Sequence, residues 1–195
     1  GGIVLPSDLL IDGRQFARTP LLASFGTGNV RLRVCAAHIR YGDDPRLRSA
    51  ECERLAYFLG RIADRDKEEI LLTGDFNLLR GDSPVLALFR KHGVDIPPET
   101  VHHTLWMSGK PCDLIGRIPS VKDGPDKLAR SRCGMIEIFD RIYRDRDVGD
   151  YAKAVFAAGR SSDRLSEGAG SIEYKLWKKR QISDHLPIWV EYTLT

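Results

Sequence analysis

Six residues in this sequence have the side chains and the settings for chemistry. They are His38 in His-Ile-Arg-Tyr-Gly, Asp75 and Asn77 in Thr-Gly-Asp-Phe-Asn, Asp140 in Phe-Asp-Arg-Ile, and Asp184 and His185 in Ser-Asp-His. An imidazole changes charge near neutrality, so two histidines can give and take protons under ordinary conditions. Carboxylate and amide oxygens are the ligands that hard divalent cations such as Mg²⁺ and Mn²⁺ prefer. Each residue alone also has an ordinary reading. Asp140 would serve as an ion-pair partner, His38 as a satisfied, partly buried histidine, Gly74-Asp75 as a turn and Asp184 as a cap. Chemistry is favoured because all four motifs fall at or near strand ends, where loops on a rigid sheet collect catalytic groups.

The elements that must hold these residues can be read from periodicity. Residues 18–25 and 30–38 have the pattern of two strands joined by the turn-rich Gly-Thr-Gly-Asn. Alternation places Leu32, Val34, Ala36 and His38 on one face of the second strand, with His38 ending an apolar row. Asp44-Pro45 is an N-cap followed by a first-turn proline, and Leu55, Phe58, Leu59 and Ile62 keep helical spacing, which predicts a helix over about 45–65. The apolar run 70–73 predicts a strand buried on both faces, delivering Gly74-Asp75-Phe76-Asn77 at its end. Ser83-Pro84 starts a second helix, with Val85, Leu88, Phe89 and His92 on one stripe and Gly93 as its stop. Residues 95–134 are turn-rich and basic and are expected to be mostly loop. Ile136, Ile138, Asp140 and Ile142 alternate as on a strand, and 151–158 is expected to be another. The stretch 160–171 is Ser/Gly-rich and expected to be mobile, and 186–194 alternates as a last strand with Leu186, Ile188, Val190, Tyr192 and Leu194 inward. Strands mixed with helices place the chain in the α/β (α+β) class with layered sheets.

Composition sets the outer bounds. The chain has 195 residues, 42% hydrophobic and 29% charged, which suits one domain with a real core. Eighteen Gly and ten Pro are ordinary, so collagen-like and low-complexity classes drop out. No run approaches the roughly 18 apolar residues of a membrane helix, so no transmembrane segment is expected and the protein reads as soluble. A net charge of +3 is too small a surplus to identify a polyanion partner by itself. Cys35, Cys52, Cys112 and Cys133 contain no Cys-x-x-Cys, which argues against a zinc or redox motif. Free thiols are expected at this size and lean toward an intracellular setting, with the compartment otherwise open.

At the chemical residues the sequence resembles a known family. The ordered set His38-x-x-x-Gly42, Gly74-Asp75-Phe76-Asn77, Asp140-Arg141-Ile142 and Ser183-Asp184-His185-Leu186-Pro187 is similar to the motifs of the endonuclease/exonuclease/phosphatase superfamily, the deoxyribonuclease I-like fold. Arg-Thr-Pro-Leu-Leu-Ala-Ser-Phe over 18–25 also resembles it, so the likeness covers nearly the whole chain. The resemblance implies a layered sandwich of two β-sheets flanked by helices and divalent-metal-dependent cleavage of phosphate esters, with Mg²⁺ or Mn²⁺ as cofactor. It makes His185 the base or phosphate contact, with Asp140 fixing its tautomer. Asp184 and Asp75 would contribute to the metal site, while Asp75 and Asn77 would orient water and phosphate. His38 would be the acid for the leaving group; this second histidine is found in the deoxyribonuclease I, sphingomyelinase, deadenylase and inositol-phosphatase branches, and apurinic endonucleases typically lack it.

One departure stands beside the match. The family's metal-binding Glu and an early Asn lie upstream of the strand ending at His38, yet here no Glu precedes Glu51 and the chain's Asn residues are Asn29 and Asn77. The chain therefore resembles the C-terminal portion of a family member; a fragment lacking its N-terminal strands is favoured over a remodelled family member or a partner to a separate N-terminal half. Such a sandwich should expose sheet edges or pair them with another copy.

The expected function is metal-dependent phosphoester hydrolysis by in-line water attack, with nucleic acid the leading substrate. A sphingomyelinase or inositol-phosphate phosphatase is the alternative within the family. A catalytically deficient fragment or binding module is the alternative outside it. Lys175, Lys178, Lys179 and Arg180 surround Trp177 just before Ser-Asp-His. That run reads either as a phosphate-backbone contact or as a solvated helix face with one packed Trp. His102-His103, His92 and the basic stretch 110–132 read as solvated loop, core-edge packing and solvated charge.

Overall fold

The computed structural model describes residues 1–2, 16–28, 30–42, 44–78, 83–102, 104–105, 112–120, 128–158 and 172–195. Strands β1 (Leu21–Thr27) and β2 (Val30–His38) form an antiparallel hairpin. Helix α1 (Pro45–Asp66) then crosses over to β3 (Glu69–Asp75), which runs parallel to β2. Asp44 accepts the Arg46 N–H at 2.9 Å and Pro45 occupies the first turn, so α1 starts where its cap and proline dictate. Its end is equally local: Lys67 turns left-handed at φ 55° and donates its N–H to Ala63. Helix α2 (Ser83–Lys91) follows, then β4 (Val101–His102) and β5 (Asp113–Ile118), which completes a five-stranded sheet in the order β1-β2-β3-β5-β4. The second sheet is the antiparallel pair β6 (Leu128–Met135) and β7 (Ile188–Leu194), separated in sequence by α3 (Val148–Ala158) and α4 (Ile172–Gln181). This is the expected α+β class with two sheets and flanking helices. No described helix is long and apolar enough to cross a membrane, and all four cysteines are free thiols.

Helices α1 and α2 cover one face of the large sheet. Cys35, Ala37, Ile70, Leu72, Leu114 and Ile118 are buried there against Cys52, Leu55, Leu59 and Phe89. The buried row of β2 is thus Cys35 and Ala37, one residue out of phase with the expected Leu32, Val34, Ala36 and His38 row. Those four lie on the opposite face, and Ala36 and His38 are exposed. For the same reason the middle of β3 is fully buried on one side only: Ile70 and Leu72 are inaccessible while Leu71 and Thr73 are half-buried, and on their face Glu69 alone is buried. The second face is covered near β5, where β7 lies and Arg117 donates to the Leu128 carbonyl at 2.7 Å. Toward β1 the described residues leave it open, with Leu21 and Phe25 60% and 57% exposed.

Three further expectations are corrected. The supposed loop 95–134 contains β4, β5 and most of β6. The alternating run 136–142 is a short 3₁₀ turn, Ile138–Asp140, because Ile136 and Ile142 stay about half exposed and no buried face holds them as a strand. Residues 151–158 belong to α3, where Ala-rich sequence favours helix and i, i+4 spacing puts Tyr151 and Val155 on the Trp177 cluster. The stretch 160–171 lies outside the described residues.

Candidate functional site

Register alone brings the first three groups together. His38 is the cross-strand partner of Asp75, and Asp75 is the partner of Asp113, at the ends of β2 and β3 and the start of β5. All three stand on the face away from α1 and α2. This close pairing depends on Gly74, at φ 139° opposite Ala37: any Cβ there would collide with the Ala37 carbonyl oxygen. The peptide after His38 is then held from several sides. Ile39 N–H donates to the Asp75 carbonyl at 2.8 Å, and Asn77 Nδ2 donates to the Ile39 carbonyl at 2.7 Å. The buried Glu51 accepts the Arg40 N–H at 3.3 Å and the Ala17 N–H at 3.1 Å. Asn77 is itself left-handed at φ 50° and donates its N–H to Asp75 Oδ1 at 2.8 Å, a local turn that fixes the carboxylate.

The fourth group arrives from the other sheet. Helix α4 ends at Gln181, and the chain passes through Ser183, whose Oγ accepts the His185 N–H at 3.0 Å. A β-bridge between Leu105 and His185 and a 3.0 Å bond from Leu186 N–H to the Thr104 carbonyl dock this segment beside β5. His185 Nδ1 then lies 2.7 Å from Asp113 Oδ2, and the Thr104 hydroxyl donates to that same oxygen. A carboxylate can only accept, so Nδ1 carries the proton and Nε2 presents its lone pair to the site. Asp75 Oδ2 sits between the two rings, 3.3 Å from His38 Nε2 and 3.7 Å from His185 Nε2.

The charges follow from this packing. Partial burial raises the Asp75 carboxyl above its usual range, the Asn77 N–H opposes that, and neighbouring Asp113 adds to it. For His185, burial works against the charged ring, but the hydrogen bond and charge of Asp113, with Asp75 and Asp184 behind them, outweigh it and raise its pKa. Ligand atoms of Asp75, Asp113 and His185 lie within 4.8 Å of one another. Mg²⁺ and Mn²⁺ keep several waters and need only one or two protein carboxylates, so this donor set fits such an ion.

The expected residues therefore divide. His38, Asp75 and His185 converge, with Asn77 behind them, its side-chain amide committed to the backbone. The carboxylate on His185 Nδ1 is Asp113, which sequence reading missed; Asp140 ends the 3₁₀ turn, and its side chain is outside the described residues. Asp184 pairs with Lys179 at 2.8 Å, which lowers its pKa and leaves it out of the three-residue cluster. Lys178 is corrected as a substrate contact: it is buried, bonded to Asp145 at 2.8 Å and packed on the Tyr174 and Phe139 rings. Arg180 is exposed on α4.

No model of a protein family and no curated protein matches this sequence. Solved structures do. A conserved protein of unknown function from Enterococcus faecalis V583 is 16% identical over 91% of this chain and 57% of its own, with a TM-score of 0.52. A humanized TDP2 of D. rerio is 14% identical over 90% and 58%, with a TM-score of 0.49. Beta toxin from Staphylococcus aureus, crystallised with magnesium ions, is 17% identical over 59% and 49%, with a TM-score of 0.41. The chain spans about half to three-fifths of the length of these proteins. With His38, Asp75 and His185 gathered at strand ends of a two-sheet α+β frame, the chain shares its fold with the Enterococcus faecalis protein.

Proposed function

We propose that this site hydrolyses phosphoesters with the help of a divalent cation, and that nucleic acid is its substrate. The observation that carries the reading is the pairing of Asp113 with His185 Nδ1, which turns Nε2 toward Asp75 and His38. In this reading His185 Nε2 takes a proton from water, the water oxygen forms a bond to phosphorus, and the phosphorus–oxygen bond opposite breaks. His38, 48% exposed and tethered through Asp75, gives the departing alkoxide its proton. A cation, when bound, would neutralise phosphate charge; Asp75 would hold it, beside Asp113, and His185 Nε2 stays free for the proton. The exposed Arg180 and the half-buried Lys175 on α4 support a polyanionic substrate.

A second reading, binding without turnover, is favoured by one observation: Asp184 is taken up by Lys179 instead of joining the carboxylate cluster. One assay separates the two. The protein is incubated with bis(p-nitrophenyl) phosphate, an oligonucleotide, sphingomyelin or inositol phosphates, with Mg²⁺, Mn²⁺ or a chelator. Cation-dependent cleavage, fastest on the oligonucleotide and lowered about 10²–10⁴-fold in His185→Ala and Asp75→Ala, is expected. Cleavage undiminished in both variants sinks the assigned roles, and cation binding without any cleavage selects the second reading.

A further inference from the structure

We propose that Thr104 is a positioning residue for His185, selecting through Asp113 the tautomer and ring orientation that the proposed hydrolysis needs; this rests on the functional reading above. Thr104 is fully buried, and nothing in its type or spacing marks it in the sequence. It is joined to both halves of the site. Its hydroxyl donates to Asp113 Oδ2, the oxygen 2.7 Å from His185 Nδ1. Its carbonyl accepts the N–H of Leu186, immediately after His185, at 3.0 Å, and the next residue, Leu105, bridges to His185 itself. One residue thus fixes the acceptor on β5 and the backbone that carries the donor.

The physical argument concerns freedom. Asp113 begins its strand, and pairing with Asp75 of β3 and His102 of β4 fixes its backbone but not the torsion of its carboxylate. A rotation that takes the carboxylate oxygens out of line with Nδ1 releases the tautomer, whereas a half-turn only exchanges two equivalent oxygens. The Thr104 hydroxyl, a buried donor aimed at Oδ2, penalises that rotation, because turning away would leave the hydroxyl unpaired with no water to replace its partner. An imidazole whose Nδ1 partner is fixed presents Nε2 as an acceptor; released, it returns to a mixture of tautomers. The effect belongs in the chemical step and not in substrate capture, since Thr104 faces Asp113 and no solvent.

The test uses Thr104→Val, which keeps the shape and removes the hydroxyl, and Thr104→Ser, which keeps the hydroxyl. Thr104→Ala serves the same comparison if the valine variant does not fold. Two readouts are taken. With bis(p-nitrophenyl) phosphate and Mg²⁺, kcat of Thr104→Val should fall about 10–100-fold with KM within about twofold, and Thr104→Ser should recover to within about threefold of the wild type. In metal-free protein at alkaline pH, ¹H–¹⁵N correlation of the imidazoles should report His185 as Nδ1-protonated in wild type and Thr104→Ser. It should report a shift toward the Nε2-protonated form in Thr104→Val. The His185 signal is assigned by its loss in His185→Gln. An unchanged tautomer in the folded valine or alanine variant overturns the proposal, as does a KM change with kcat preserved. The tautomer measurement needs no turnover, so absence of phosphoester cleavage in the wild type would refute the functional reading while leaving this assignment decided on its own evidence.

Discussion

Beneath the five-stranded sheet, 19 of the described residues, buried and apolar, from β2, β3, β5, α1, α2 and the turns between them make one continuous cluster. Around α3 and α4, the corresponding cluster among the described residues is Val155, Tyr174 and Trp177, with Tyr143, Val148 and Tyr151 packed at its edge. Both regions deliver groups to the same site. His38, Asp75 and Asp113 ride on the first, as neighbours fixed by strand register. His185 comes from the end of the second and is held to the first by Asp113, by the Thr104 carbonyl and by the Leu105 bridge. Where apolar burial is plentiful, strand register brings the functional groups side by side, and local polar contacts such as the Asn77 N–H on Asp75 fix their orientation. Where it is sparse, polar contacts across the gap do the placing, and those contacts are also the ones that tune the ring.

The largest effect should come from the well-packed region. Leu72 is wholly buried in the middle of β3, three residues before Asp75, and Leu72→Ala should lower unfolding stability by about 2–5 kcal/mol. The matching truncation in the hairpin, Val190→Ala, removes two half-buried methyl groups and should cost roughly 1 kcal/mol or less. Urea titration of both variants measures the contrast directly. Equal losses would mean that β6–β7 shares the main core, and the comparison of the two regions would fail.

The same contrast governs what could be read in advance. His38, the Gly-Asp-Phe-Asn turn, α1 and its Asp44 cap are local features of the well-packed region, and residue type with spacing is enough to see them. The face of β2 was misjudged because both alternating rows are apolar, Leu32-Val34-Ala36 and Cys35-Ala37; burial is decided by which side α1 returns to, and period two cannot say. Asp113 was hidden more deeply. Its strand, Asp-Leu-Ile-Gly-Arg-Ile, is short and broken by Gly116 and Arg117. Gly116 is there because a Cβ would press on Val94 and Ile96, while Arg117 reaches Leu128, both consequences of tertiary packing. An aspartate heading a short apolar run was the available signal, but Asp140 carries a similar one with a better apolar alternation. The 3₁₀ turn at 138–140 shows why that alternation misled: without a sheet to pack on, Ile136 and Ile142 stay in solvent.

A smaller test probes the sparse region from inside. Tyr174, fully buried on α4, donates its hydroxyl to the Arg144 carbonyl at 3.1 Å, stacks near Trp177, and has its own ionisation pushed up to about 12 by burial. Tyr174→Phe keeps the ring and removes one hydrogen bond, so the global loss should be about 1 kcal/mol. Because this cluster anchors the helix that leads to His185, hydrogen exchange should quicken in α4 and the 182–186 segment before it changes in β3. Uniform acceleration across both sheets would show that the two regions open together.

The smallest effect separates the ion pairs of the two regions. Arg33 on β2 forms ion pairs with Asp66 at 2.7 Å and Glu68 at 2.6 Å in a half-buried cluster, whereas Arg132 and Glu191 pair across β6–β7 at 2.7 Å in largely open solvent. The hydrogen bond from Arg65, supported by Arg33, holds the Asp66 carboxyl down at about 2, against partial desolvation. A carboxyl depressed in the folded state stabilises it above the unfolded value near 4, and that contribution disappears as pH falls through the folded value. Asp66→Asn should therefore be less stable than the wild type at pH 7, and the gap should narrow as the pH drops below about 4. Glu191→Gln should show little difference at either pH, since an exposed pair contributes about 0–1 kcal/mol and salt screens it. Denaturant midpoints of the two variants at pH 7 and pH 3.5, in low and high salt, decide the matter. A gap for Asp66→Asn that widens in acid would reverse the sign argued here, and a Glu191→Gln loss as large as that of Asp66→Asn would erase the difference between the two regions' surfaces.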